Sequence, residues 1–339
     1  MAARISGATR CQPRTLGFER DAGRSANVMS TREEIYGIRA WHAWDEARPD
    51  NLLSYRQSPQ ESANDELVEE VTSFRELFRV VAFLNVMNKK TTLLFRGQTS
   101  DFEPRPTILR SRWQTPGFGK PVNPGQDLKY YWDELDRMCV QVVKILSGRL
   151  PRHRPFELFP AMPRLRVAPW SVVQHYELWP TPVIDLTSSL RVAASFALGA
   201  TRGRREGYLY VYDLPYIVDD LMSMYEVQIE DPIVYRLSAV CPPEMDRPHL
   251  QEGFLFGNSL FNPEEPNDPA PIQLANRLVA KFRLVDNRER GRSQFWSSDF
   301  PKHSQRSLLP RPDSDVIKAM LDFCIRHDVV DGKATWSAV

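Results

Sequence analysis

Thr91-Thr92-Leu93-Leu94-Phe95-Arg96-Gly97-Gln98 is the stretch that decides the fold. It begins β-branched and apolar, so it predicts a buried strand. It ends in an arginine and a glycine, and a cation at the end of an apolar element is costly unless it is paired or used. A helix is predicted just before it. Ser73 is placed to cap that helix with Glu76 at the reciprocal position. Leu77, Val80, Val81, Leu84 and Val86-Met87 recur at helical spacing, and Lys89-Lys90 suit the negative end of the helix dipole. After the strand, Pro104, Pro106 and Pro116 with Gly117 and Gly119 predict a loop.

Further out, 126–147 carries the clearest helical periodicity, stopped by Gly148. The stretch 149–169 is rich in Pro and Arg and reads as a connection. A helical turn begins at Ser171 and is broken by Pro180 and Pro182. Strands are predicted over 183–186, 208–212, 233–237, 253–256 and 278–285, and helices over 190–198, 217–227 and 314–327. Residues 36–66 read as a short strand or helix followed by a polar loop, and 262–271 as a loop. Residues 1–28 are compatible with a disordered leader, a targeting peptide or an over-extended start, with Met29 as the alternative beginning. The expected divisions are a leader (1–28), an N-terminal extension (29–70), a main domain (71–310) and a C-terminal helix and tail (311–339). Strands and helices intermingle without a βαβ rhythm, and GxGxxG and GxxxxGK[ST] turns are missing. The fold class expected is α+β, with a small mixed or antiparallel sheet and flanking helices.

Composition narrows the function classes. The 339 residues are 42% apolar and 26% charged, with a formal net charge of +1, so no global field favours nucleic acid or an acidic membrane. Cys11, Cys139, Cys241 and Cys324 stand far apart, which argues against a structural zinc site and fits a reducing, cytoplasmic setting. No metal-ligand spacing and no membrane-length apolar run occurs. Arg149, Arg152, His153, Arg154, Arg164 and Arg166 form a local basic stretch, read either as a solvated loop or as a patch for an anion or nucleic acid.

Four ordered segments resemble the FRG domain, a family named for a Phe-Arg-Gly motif. They are Phe95-Arg96-Gly97; the proline-containing Glu103 to Arg110; Gln174-His175-Tyr176 through Asp185-Leu186-Thr187-Ser188 to Ala193-Ala194-Ser195-Phe196-Ala197; and Arg247 to Phe254, similar to the family's R-x-x-x-Q-x-G pattern. Together they span about 71–310. Glu177 stands where the family usually has Gly, Trp179 looks like an extra residue, Pro182 replaces a usual Arg, and Leu186 a usual Trp. The layout also resembles, more faintly, the R-S-E type of ADP-ribosyltransferase, through Arg96, Thr187-Ser188-Ser189 and Gln251-Glu252 in that order.

That resemblance implies NAD as a substrate, with no metal, and a macromolecular ADP-ribose acceptor whose identity the residues do not give. Arg96 is the expected phosphate fork and Gly97 the point of close backbone approach, with Tyr176, Thr187 and Ser188 around the cofactor. Glu252, Gln251 and His175 are the expected catalytic groups, since cleaving the nicotinamide bond needs a carboxylate beside an oxocarbenium-like sugar. Bland readings stand beside these: Arg96 satisfied by carbonyls or by Asp185, the hydroxyls as helix caps, and His175 as a hydrogen-bonded structural residue. If Gln251 and Glu252 lie on a strand, only one of them enters a cleft. The family pattern favours Gln251 and the chemistry favours Glu252. A non-catalytic binding module and a nucleic-acid-associated effector are the competing functions.

Overall fold

The computed structural model describes residues 35–46, 56–57, 68–109, 132–143, 167–199, 206–215, 224–225, 233–241, 245–257 and 274–309. Strand β1 (Ile35–Tyr36) leads into helix α1 (Ile38–Asp45) and pairs with β2 (Arg56–Gln57). Then come β3 (Val68–Val71), α2 (Phe74–Met87) and β4 (Thr91–Gln98). Ser73 caps α2 as expected, while the reciprocal bond of Glu76 reaches one residue further back, to Thr72 rather than Ser73. Ser73 Oγ accepts from the Glu76 N–H at 3.3 Å, and the Glu76 carboxylate accepts from the Thr72 N–H. At the other end of α2, buried Asn88 bonds both main-chain groups of Tyr36, at 2.8 and 2.9 Å. This contact ties the N-terminal segment to the rest. Ile35, Ile38 and Trp41 share one apolar cluster with the α2 residues.

Residues 132–143 are helical and form α3. Next come α4 (Val167–His175), β5 (Val183–Thr187), α5 (Leu190–Ala197) and β6 (Glu206–Pro215). Strands β7 (Met224–Tyr225) and β8 (Ile233–Arg236), short helices α6 (Leu237–Val240) and α7 (Asp246–Leu250), and strand β9 (Gly253–Gly257) follow. The chain continues through β10 (Leu278–Val285), the hairpin β11 (Arg288–Glu289) and β12 (Arg292–Ser293), and α8 (Gln305–Leu308).

Eight strands form one mixed sheet in the order β3-β10-β6-β4-β5-β9-β8-β7, in which only β3–β10 is parallel. The class is α+β as expected, but the sheet is larger than the small one expected. Strand β3 straddles the anticipated boundary at residue 71. Nothing in its short, acidic sequence announces a strand, and its pairing with β10 supplies what the local pattern lacks. Met224-Tyr225 is strand, where a helix over 217–227 was expected; pairing with β8 decides it. The leader, the basic stretch at 149–166 and the helix at 314–327 lie outside the described residues. Among the described residues, no helix is long and apolar enough to cross a membrane.

The sheet is continuous but weakly joined at its centre. Strand β4 pairs with β6 along its whole length, whereas it meets β5 only through Phe95 and Thr187. Helix α5 lies against the β4–β6 side at very close range. A Cβ on Gly97 would sit 1.8 Å from the Ala193 carbonyl oxygen, and one on Gly207 would sit 2.0 Å from that of Ala197. The alanines of α5 and these two glycines are thus one device for pressing a helix backbone onto strands.

Candidate ligand cleft at the split in the sheet

Beyond the Phe95–Thr187 pair, β4 stays with β6 and β5 stays with β9. The gap is bridged by a side chain. Arg96 Nη1 donates to the main-chain oxygen of Asp185 at 2.7 Å, and its Nε donates to Gln98 Oε1 at 3.0 Å. Two sides of the guanidinium are therefore structural, and Nη2 has no protein partner among the described residues. Here a cleft of about 250 Å³ opens. Arg96, His175, Thr187 and Gln251, from four separate stretches of sequence, all line it, as do Asp185 and Glu177. Phe95, Leu186, Phe196 and Leu309 give it apolar walls.

Two helix ends deliver most of the polar groups. Helix α4 closes in a Schellman turn: the Leu178 N–H donates to the Val173 carbonyl and the Glu177 N–H to that of Gln174. This turn puts Glu177 in the left-handed region at φ 55°. Gln174 and His175 precede it. Gln174 Nε2 donates to the Val183 carbonyl, which only accepts, so Oε1 is the amide atom turned away and finds no partner. His175 is buried. Its Nε2 and Asp185 Oδ1 face each other at 3.7 Å, and neither makes a hydrogen bond. Burial holds the imidazole below its ordinary pKa; the Asp185 carboxylate pulls the other way, and the Arg247 guanidinium reinforces the depression.

Helix α7 brings the second group. Gln251 lines the cleft and donates to the Leu308 carbonyl at 2.8 Å, which fixes α8 and Leu309 beside it. Glu252 follows at φ 46°, exposed, with its carboxylate 3.5 Å from Ser188 Oγ. The pair sits in the turn after α7, and β9 starts only at Gly253. Strand alternation therefore does not separate them; the left-handed turn at Glu252 does. Gln251 is the inward residue and Glu252 is not among the cleft-lining residues.

Four other expected roles change. Tyr176 is not at the cleft: it is 1% exposed, within the core, with the Arg247 guanidinium 5.2 Å above its ring. Thr187 lines the cleft, but its hydroxyl is already engaged, donating to the Gln251 carbonyl at 2.6 Å and accepting from the Ser189 N–H at 3.0 Å. Exposed Ser188 is not among the lining residues. Gly97 lies at the cleft, yet the need for glycine comes from Ala193 on its other side. Sequence reasoning gave no role to Arg247, which is buried and donates from Nη1 to the His175 carbonyl at 2.8 Å. Its place in the same motif as Gln251 was the available signal. Compared with family models, curated proteins and solved structures, the chain matches none.

Proposed function

We propose that this chain is a cytoplasmic FRG-domain protein of ADP-ribosyltransferase-like layout whose cleft takes NAD. The observation that carries the reading is the convergence of Arg96, His175, Thr187 and Gln251 on one cleft at the split in the sheet. Structural packing alone does not require four such residues to meet beside open space, and a concave apolar site with a few polar groups is the usual form of a ligand pocket. The backbone supports the FRG resemblance at a second point. Glu177, which stands where that family has glycine, adopts the left-handed conformation that glycine accepts without strain.

Arg96 supplies the cation for a phosphate, with Nη2 open toward it. At about 250 Å³ the cleft is below the roughly 300–1,000 Å³ of most ligand pockets, so it encloses one half of a dinucleotide. A second reading, a binding module without turnover, is favoured by one observation: an amide, Gln251, lines the cleft where the carboxylate Glu252 was expected.

The test is titration calorimetry with NAD, run beside an assay for nicotinamide release in the presence of cell lysate as a source of acceptors. Binding with release supports the enzyme. Binding without release supports the module. Absence of binding rejects NAD as the ligand of this cleft. Arg96→Lys keeps the charge and loses the fork, so NAD affinity should fall about tenfold with a smaller change in stability.

A further inference from the structure

The cleft is lined by two chemically different kinds of polar group. Arg96 is the one lining residue with a fixed positive charge among the described residues. Opposite in character are Asp185, Glu177 and Gln174 Oε1, all acceptors. Two of these atoms, Gln174 Oε1 and Asp185 Oδ1, are buried without a hydrogen-bond partner, beside His175 Nε2 in the same condition. Unpaired buried acceptors are expensive, and two side by side ask for a donor from outside the chain.

Resting on the NAD reading, we propose that Asp185 and Gln174 make the cleft selective for a hydrogen-bond-donating, positively charged ring edge, the carboxamide-bearing pyridinium, and against the same ring bearing a carboxylate. An amide N–H₂ group offers two donors to the unpaired acceptors. A carboxylate offers none and brings a negative charge against Asp185 and Glu177. Phe95, Phe196, Leu186 and Leu309 provide apolar walls for a flat ring. A buried imidazole kept uncharged adds no attraction for a carboxylate there. Asp185 is thus a specificity residue whose backbone oxygen also anchors Arg96.

The experiment compares NAD with nicotinic acid adenine dinucleotide, which differs only in that group, by titration calorimetry on the full chain. The wild type should bind NAD at least about tenfold more tightly, since the acid form loses both donors and sets its carboxylate against that of Asp185. Asp185→Asn should bring the two affinities within about threefold, chiefly by improving the acid form, whereas Arg96→Lys should weaken both alike. Equal wild-type affinities overturn the selectivity while leaving NAD binding intact. So does an Asp185→Asn protein that keeps the full preference. Failure of the wild type to bind either dinucleotide overturns the NAD reading along with the selectivity. The wild-type comparison decides even if Asp185→Asn does not fold, as judged by circular dichroism.

Discussion

The end of α4 and the end of α7 are built alike and used differently. Each helix stops at a glutamate in the left-handed region, Glu177 at φ 55° and Glu252 at φ 46°. Each places an amide-bearing residue into the same cleft just before that point, Gln174 and Gln251. At the first end the polar atoms are left unpaired: Gln174 Oε1 and His175 Nε2 have no partner. At the second, Gln251 is fixed to the Leu308 carbonyl, and its own carbonyl accepts from Thr187. The contrast teaches that similar local motifs can divide the labour, one end holding the cleft's walls and the other presenting groups to its contents.

Arg247 couples the two ends, so removing it breaks the comparison most severely. It belongs to α7 and serves α4, donating to the His175 carbonyl and lying over the Tyr176 ring. Arg247→Ala removes a charged hydrogen bond inside the protein, leaves a buried carbonyl unpaired and loses the cation–π contact. The expected loss is about 3 kcal/mol of stability, read from the denaturant midpoint at constant slope. Arg247→Lys should recover only part of it, because the ammonium lacks the planar fork. A loss below about 1 kcal/mol for the alanine variant would mean that the two helix ends are held together by other contacts.

A medium effect separates the ends by pH. His175 has its folded pKa lowered, first by burial. The unfolded chain therefore takes up this proton more readily than the native one, and stability rises with pH in the interval where they differ. Above about 6.5, the ordinary histidine value, both states are neutral and the contribution is constant. As pH falls from 6.5 toward the lowered native value, stability should fall by up to about 1.4 kcal/mol per unit. His303 is displaced in the same direction by burial, so wild type alone does not isolate the effect. The measurement is the difference between wild type and His175→Gln in denaturant midpoints from pH 7.5 to 5. Parallel curves would show that His175 titrates in the folded protein as it does in the unfolded chain, as a solvent-exposed imidazole would.

Much of this architecture was legible in the chain. Strong runs such as Thr91–Gln98 and Leu278–Val285 carry their own β signal, and Ser73 with Glu76 carries its own cap. Five of the expected site residues, Arg96, Gly97, His175, Thr187 and Gln251, do meet in the cleft, because motif residues at the ends of apolar elements go where those elements end. What was hidden depends on partners distant in sequence. Strand β3 exists through β10, and the glycine at 97 answers to Ala193. Tyr176 is expected beside the cofactor from its place in the motif, yet the end of α4 buries it in the core under Arg247. The inward choice between Gln251 and Glu252 was posed as a question about strand alternation, and a helix end supplied the answer.

The smallest effect tests the likeness of the two ends directly. A non-glycine residue in the left-handed region costs roughly 1–2 kcal/mol because Cβ crowds the following carbonyl. Glycine removes that crowding and gives back part of the gain through the greater freedom of the unfolded chain. Glu177→Gly and Glu252→Gly should therefore each stabilise the protein by about 0.5–1 kcal/mol, measured as matched shifts in denaturant midpoint. Neither change removes a main-chain contact: the Glu177 N–H still closes the turn on Gln174, and the Glu252 carbonyl still accepts from Ser188. Their consequences for the cleft should differ. Glu177 lines it and Glu252 does not. Glu177→Gly should weaken NAD binding about two- to threefold by removing a rim carboxylate from the side of the cationic ring, in line with the small worth of exposed charge pairs. Glu252→Gly should leave NAD affinity unchanged. Equal loss of binding in both variants would bring the Glu252 carboxylate back to the ligand and erase the division of labour between the two helix ends.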